Sequence, residues 1–205
     1  MKPHRSAALL AVLTCLAFAA AHAKPAPTAT ATAAIEVRGA DGKPSLALRI
    51  TGDRVRIELP ADGNRVLTGV EKETGKRKYA FAGSGPFAEV KPGDAGFKLR
   101  GPDGKLKWKV KLDAGSVKVS DNEEGQRAIV VKVRGAGLEV RRDAAVLGGV
   151  DFKAGRDGVV VHDASGRILY RSEGAPSALF GLLLVPEIPS PERAILMAEL
   201  LARQR

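Results

Sequence analysis

From Ile35 onward the apolar residues recur at every second position, and each short run is cut by a turn dipeptide. Val55, Ile57 and Leu59 alternate with Arg54, Arg56 and Glu58, and Trp108, Val110 and Leu112 alternate with Lys107, Lys109 and Lys111. A period of two puts one set of side chains on a dry face and the other in water, which is a β-strand and not a helix. Asp-Gly pairs at 41/42, 62/63, 103/104 and 157/158 supply the backbone freedom that tight hairpins need. Further strands are expected over residues 46–50, 66–70, 79–81, 97–100, 117–119, 129–133, 138–140, 150–152, 159–161 and 168–170. The fold class that follows is all-β, an antiparallel barrel or closed sandwich of about 12 strands.

The alternating chain repeats itself. IEVRGADGK at residues 35–43 returns as FKLRGPDGK at 97–105 and more faintly as VVVHDASGR at 159–167, each copy starting 62 residues after the last. Sliding 35–96 onto 97–158 matches 13 of 62 positions, six of them glycines, so composition inflates the count. The strand positions follow as well, with Leu48, Ile50, Ile57 and Leu67 meeting Val110, Leu112, Val119 and Ile129. A duplicated 62-residue β unit is the reading, and its period exceeds the roughly 40 to 50 residues of a propeller blade.

After Gly174 the period changes. Residues 178–185 are apolar on every side, lie between Pro176 and Pro186, and are too short to span a membrane. They must be buried or meet a partner. A helix is expected next, with Ser190 as N-cap, Pro191 at the first helical position and Glu192 suited to the dipole. Its polar residues Glu192, Glu199 and Arg203 form one narrow stripe, so most of its circumference is apolar.

The N-terminus reads as a cleavable export signal over residues 1–23. Lys2 and Arg5 precede an apolar core, and Ala21-His22-Ala23 is the small-x-small pattern of a cleavage site. Cleavage near Ala23 sends the chain to the periplasm or medium. The competing reading, a lipoprotein anchored through Cys15, is disfavoured by Thr14 before the cysteine and by the apolar core continuing to Ala21. Residues 24–34, rich in Pro, Ala and Thr, are expected to be a flexible leader, and 35–205 a single domain. The mature chain would hold no cysteine and one histidine, His162, so thiol chemistry and Cys-based metal sites are excluded. Lys2 and Arg5 leave with the signal, so 31 basic residues stand against 23 acidic ones, a net +8. That excess favours anionic partners, although lysines also serve to keep β surfaces soluble.

No catalytic signature emerges. Residues 82–86, AGSGP, lack the spacing of a nucleophile elbow, so Ser84 is read as a turn residue and His162 as structural. One histidine makes a zinc site remote, and no cofactor or metal is implied. The acidic island at 121–124 lacks the spacing of an EF-hand and reads as a solvated turn rather than a calcium loop. Paired carboxylates remain open, because any two of 23 acidic residues could converge. The one candidate binding face is the cationic row of Lys98, Arg100, Lys107, Lys109 and Lys111, suited to phosphate or sulfate groups. No exposed aromatic is interleaved with it, which argues against nucleic acid.

Hairpin-rich units with Asp-Gly-Lys turns followed by an apolar C-terminal stretch look like the tubby C-terminal-like fold. That resemblance implies a twelve-stranded barrel around a central hydrophobic helix, in a family whose members bind phosphoinositides or act on membrane phospholipids. The expected protein is thus an exported, non-enzymatic binding or structural module of the cell envelope, acting as a monomer on an anionic lipid, a glycan or an envelope protein. An anionic-lipid binder of the tubby-like kind is the alternative, and a hydrolase using paired carboxylates the third.

Overall fold

The computed structural model describes residues 32–72, 75–153 and 158–204. The signal segment, Cys15, leader residues 24–31 and Asp157 of the last Asp-Gly turn lie outside them. Fourteen antiparallel strands form one closed barrel in which every strand pairs with its neighbours in sequence and β1 pairs with β14. They are β1 Thr32–Gly39, β2 Pro44–Thr51, β3 Arg54–Leu59, β4 Arg65–Glu71, β5 Arg77–Phe81, β6 Pro86–Gly93 and β7 Gly96–Arg100. The second half comprises β8 Leu106–Asp113, β9 Ser116–Ser120, β10 Ile129–Arg134, β11 Gly137–Arg142, β12 Ala145–Phe152, β13 Val159–Asp163 and β14 Ile168–Ser172. The alternation dictates this wall, since Leu48, Ile57, Leu67, Val90, Leu99, Val119, Val131 and Val140 are fully buried inside. The described residues form fourteen strands, close to the about twelve expected, and the first begins at Thr32, inside the stretch read as leader and three residues before the alternation becomes visible.

The 62-residue spacing carries into geometry. Strands β2 and β8 start at Pro44 and Leu106, and β8 and β14 at Leu106 and Ile168, each 62 positions apart. Three turns at that spacing share the same hydrogen bonds: Gly39 N to Lys43 O, Gly101 N to Lys105 O and Asp163 N to Arg167 O, each 2.9–3.0 Å. In each, a second bond closes the turn from Gly42, Gly104 or Gly166 to the residue three before it. Those three glycines have φ of 77°, 77° and 84°, the left-handed conformation that explains a glycine at this place in each copy.

A barrel of eight strands is just wide enough to be filled by its own side chains, so one of fourteen needs further filling. The C-terminal segment supplies it. A 3-10 helix over Ala178–Leu184 packs against β10, β11, β12 and β13, and helix α1, Ser190–Ala202, packs against β2, β3 and the 3-10 helix. Leu179, Phe180, Leu182, Val185, Ile188, Ile195, Leu196, Met197 and Ala198 have no exposed surface. The apolar stretch is therefore core. The 3-10 helix runs inward from the barrel end where β14 finishes, the chain reverses near Ile188 at the opposite mouth, and α1 returns. Ser177 ties the two ends of this hairpin, its Oγ accepting from Leu179 N at 3.2 Å and from Gln204 Nε2 at 2.8 Å. Ser190 is not the cap expected from the sequence. It is the first helical residue, Pro189 holds the cap position without a side-chain bond, and Arg193 N donates to Pro189 O at 2.9 Å. No helix among the described residues is long and apolar enough to cross a membrane.

Candidate functional site

The cationic residues singled out in the sequence come together on the outer wall. Lys98 and Arg100 lie on β7 and Lys107, Lys109 and Lys111 on the adjacent β8. Registration puts Lys98 opposite Lys109, Lys91 of β6 opposite Lys98, and Lys111 opposite Lys118 of β9. Like charges directly opposite each other on a sheet repel, so this arrangement costs stability unless anions answer it. Arg49 opposite Arg56 and Arg38 opposite Arg171 repeat the motif elsewhere, but only β6–β9 carry three such pairs together.

The acidic island supplies part of the answer. Glu123 reaches over the row, its Oε2 2.6 Å from Lys98 Nζ and its Oε1 2.9 Å from Arg100, while Lys109 Nζ donates to the Glu123 main-chain oxygen. The Lys98 bond, with Arg100 behind it, lowers the Glu123 pKa below the ordinary range. Asp113 takes Lys118 at 2.9 Å and Lys111 at 3.8 Å, and its pKa falls chiefly through the Lys118 hydrogen bond. Residues 121–124 are the solvated turn expected from the sequence, and through Glu123 that turn also braces the basic face. Among the described residues, Lys91 and Lys107 have no carboxylate partner. Trp108 points inward, its Nε1 donating to Glu192 Oε2 of α1 at 2.5 Å.

The remaining candidates lie elsewhere on the barrel. His162 lies on β13 with Nε2 3.7 Å from Asp151 Oδ2 and Nδ1 3.2 Å from the Asp163 carbonyl. Its ring covers Gly149, where a Cβ would sit 2.9 Å from Cε1. It borders a trough of about 770 Å³ on the outside of β11, β12 and β13, floored by Gly137, Gly148 and Gly149. The nearby Ser165 hydroxyl donates to Asp163 Oδ1 at 2.6 Å, not to the imidazole. That bond, joined by the Ser165 and Arg167 amides, pulls Asp163 down to about 2. Ser84 sits in the β5–β6 turn, its amide donating to Phe81 O at 3.0 Å. Asp41, Asp113, Glu123, Glu139 and Asp163 are all shifted downward by donors beside them, which keeps these five carboxylates ionised.

One constellation escaped the sequence reading. Inside the barrel, Glu199 Oε1 accepts from Arg77 at 2.6 Å and from the Tyr79 hydroxyl at 2.8 Å, and Glu199 Oε2 is 3.5 Å from Arg203. Arg77 also reaches Glu71 at 2.5 Å at the barrel rim. Burial opposes the Arg77 charge, yet Glu199 and Tyr79 together more than offset it and hold the pKa above its ordinary value. Burial, then the same carboxylate, pushes the Tyr79 phenol well above 10.0. Tyr79 fits because Gly69 stands opposite it, where a Cβ would lie 2.5 Å from the ring. Arg77, Tyr79 and Glu199 are buried, while Glu71 and Arg203 bring the cluster out to solvent at the rim, and together they tie α1 to β5. No family model, curated protein or solved structure matches this chain.

Proposed function

We propose that this protein is an exported, non-enzymatic binding module of the cell envelope whose outer face over β6–β9 holds a polyanion. The observation that carries the reading is the set of three directly opposed lysine pairs, Lys91–Lys98, Lys98–Lys109 and Lys111–Lys118. Such a set is stabilised by a ligand that lays several negative groups along the strands at once. The barrel interior is occupied by the chain's own helices, which directs recognition to the outside. Export rests on the signal-like residues 1–23, and an intact mass starting at Lys24 is the expected result, whereas diacylglycerol on Cys15 overturns it.

Charge reversal at Lys107, Lys109 and Lys111 tests the face. The triple variant should elute from heparin at much lower salt while its thermal midpoint stays within a few degrees of the parent. Unchanged heparin affinity would reduce the face to surface solubility. A second reading, binding to an anionic lipid surface, is favoured by the enclosure of an apolar helix in a β-barrel, the architecture of the tubby-like resemblance. Flotation with phosphatidylcholine vesicles containing or lacking phosphatidylglycerol separates the two: salt-sensitive flotation only with the anionic lipid favours the membrane, and heparin binding without flotation favours a glycan.

A further inference from the structure

At the mouth where the helical hairpin reverses, a cleft of about 480 Å³ opens between the β12 and β14 strands and the hairpin. Its walls are largely apolar, from Leu147, Leu169, Tyr170, Leu183, Leu184 and Ile188, and Arg193 of α1 projects into it. A narrow extension past Arg193 continues toward Leu46 and Leu59. The volume falls within the range of small-molecule sites, and such sites combine apolar walls with a few fixed polar groups.

Arg193 is the anomaly. It is half-buried, burial depresses its pKa, and among the described residues its guanidinium makes one hydrogen bond, from a terminal nitrogen to the Val185 carbonyl at 3.2 Å. A guanidinium withdrawn from water without an acid is costly. The carboxylates around it are already committed. Glu192 accepts from Trp108, Glu187 pairs with Arg142 at 2.6 Å, and Asp163 is held by its own turn and by Arg167 at 3.0 Å. The remaining donors of Arg193 form a planar fork that matches a carboxylate.

We propose that this cleft binds a single-tailed carboxylate amphiphile, its head paired with Arg193 and its chain against Leu147, Leu169 and Leu184. One guanidinium flanked by Glu187 and Asp163 suits a singly charged head, since a dianionic phosphate lacks a second cation here and meets both neighbouring carboxylates. The site is separate from the lysine face on β6–β9, so either can fail without the other.

Titration calorimetry on the full mature chain tests it with dodecanoate, dodecanol and dodecyl phosphate, each below its aggregation limit. The expected result is one-to-one binding of dodecanoate, at least tenfold weaker binding of dodecanol, and dodecyl phosphate no tighter than dodecanoate. Arg193→Met should bring dodecanoate down to the level of dodecanol, and Leu147→Trp, which fills the cleft and keeps the arginine, should abolish both. Absence of dodecanoate binding, or equal affinity for the acid and the alcohol, overturns the proposal. These comparisons use the parent protein alone and decide the matter even where Arg193→Met fails to fold. Tighter binding of dodecyl phosphate than of dodecanoate overturns the assignment of a singly charged head.

Discussion

At the scale of single residues, Glu199 does more than any other polar group. It is 2 % exposed and is the acceptor shared by Arg77 and Tyr79. Glu199→Ala should cost about 3 to 5 kcal/mol in urea unfolding, because it strands the Arg77 charge in the interior. Combining it with Arg77→Met should recover a large part of that loss, since removing both partners removes the uncompensated charge. The phenol makes a second prediction. Tyr79 keeps its proton in the folded barrel well above 10.0, while the unfolded chain releases it near that value. Its contribution is fully present below about pH 10 and is lost as pH rises, by about 1.4 kcal/mol per pH unit while the folded phenol stays neutral. Unfolding free energies at pH 9 and 11 should therefore diverge in the parent and much less in Tyr79→Phe. None of this was legible in the sequence. Glu192, Glu199 and Arg203 read only as one narrow polar stripe on a mostly apolar helix, and a helix within a barrel meets wall on that side as well. The polar stripe is matched by Trp108 on β8 and by Arg77 and Tyr79 on β5, and no spacing along the chain announces that match.

At the scale of elements, the strands whose period is two were readable and those interrupted by proline were not. Strand β6 carries Pro86 and Pro92, residues that lack the donor a ladder needs and so read as breakers. It is nonetheless paired throughout, with Pro92 opposite Phe97. That omission, with β1, which begins inside the stretch read as leader, accounts for a count near twelve where fourteen are found. The apolar run at 178–185 was read from composition as either buried or meeting a partner, its 3-10 form was not foreseen, and Gly181 gives a reason for the tight approach. A Cβ there would sit 2.6 Å from Val131 Cγ1 and 3.1 Å from Val140 Cγ2. Valine is rotationally stiff, so it cannot swing away, and Gly181→Ala should destabilise by about 1 to 3 kcal/mol through overpacking. Val131→Ala in the same chain should relieve part of that cost, giving a coupling energy of opposite sign in a double-mutant cycle. Additive losses would place Gly181 outside the contact that the geometry draws. The cationic row was fully legible as a cluster because β7 and β8 adjoin in sequence, but the strut that Glu123 lays across it needed the β9–β10 loop to fold back.

At the scale of the whole molecule, inner and outer faces are sharply sorted, apolar within and charged without, the inverse of a wall that faces lipid. Closure depends on the most distant pairing available, Val37 of β1 opposite Ser172 of β14, 135 positions later. Loops of that span form slowly, and the inner face gains its filling only from the helices that follow β14. The order of synthesis therefore matters: all fourteen strands leave the ribosome before the segment that occupies their interior. A nascent chain halted after Gly174 should be cut by protease as readily as an unfolded polypeptide, and the released full-length chain should resist. Until translation reaches α1 the barrel stands hollow, and its rigidity comes last, with the helix that completes the interior.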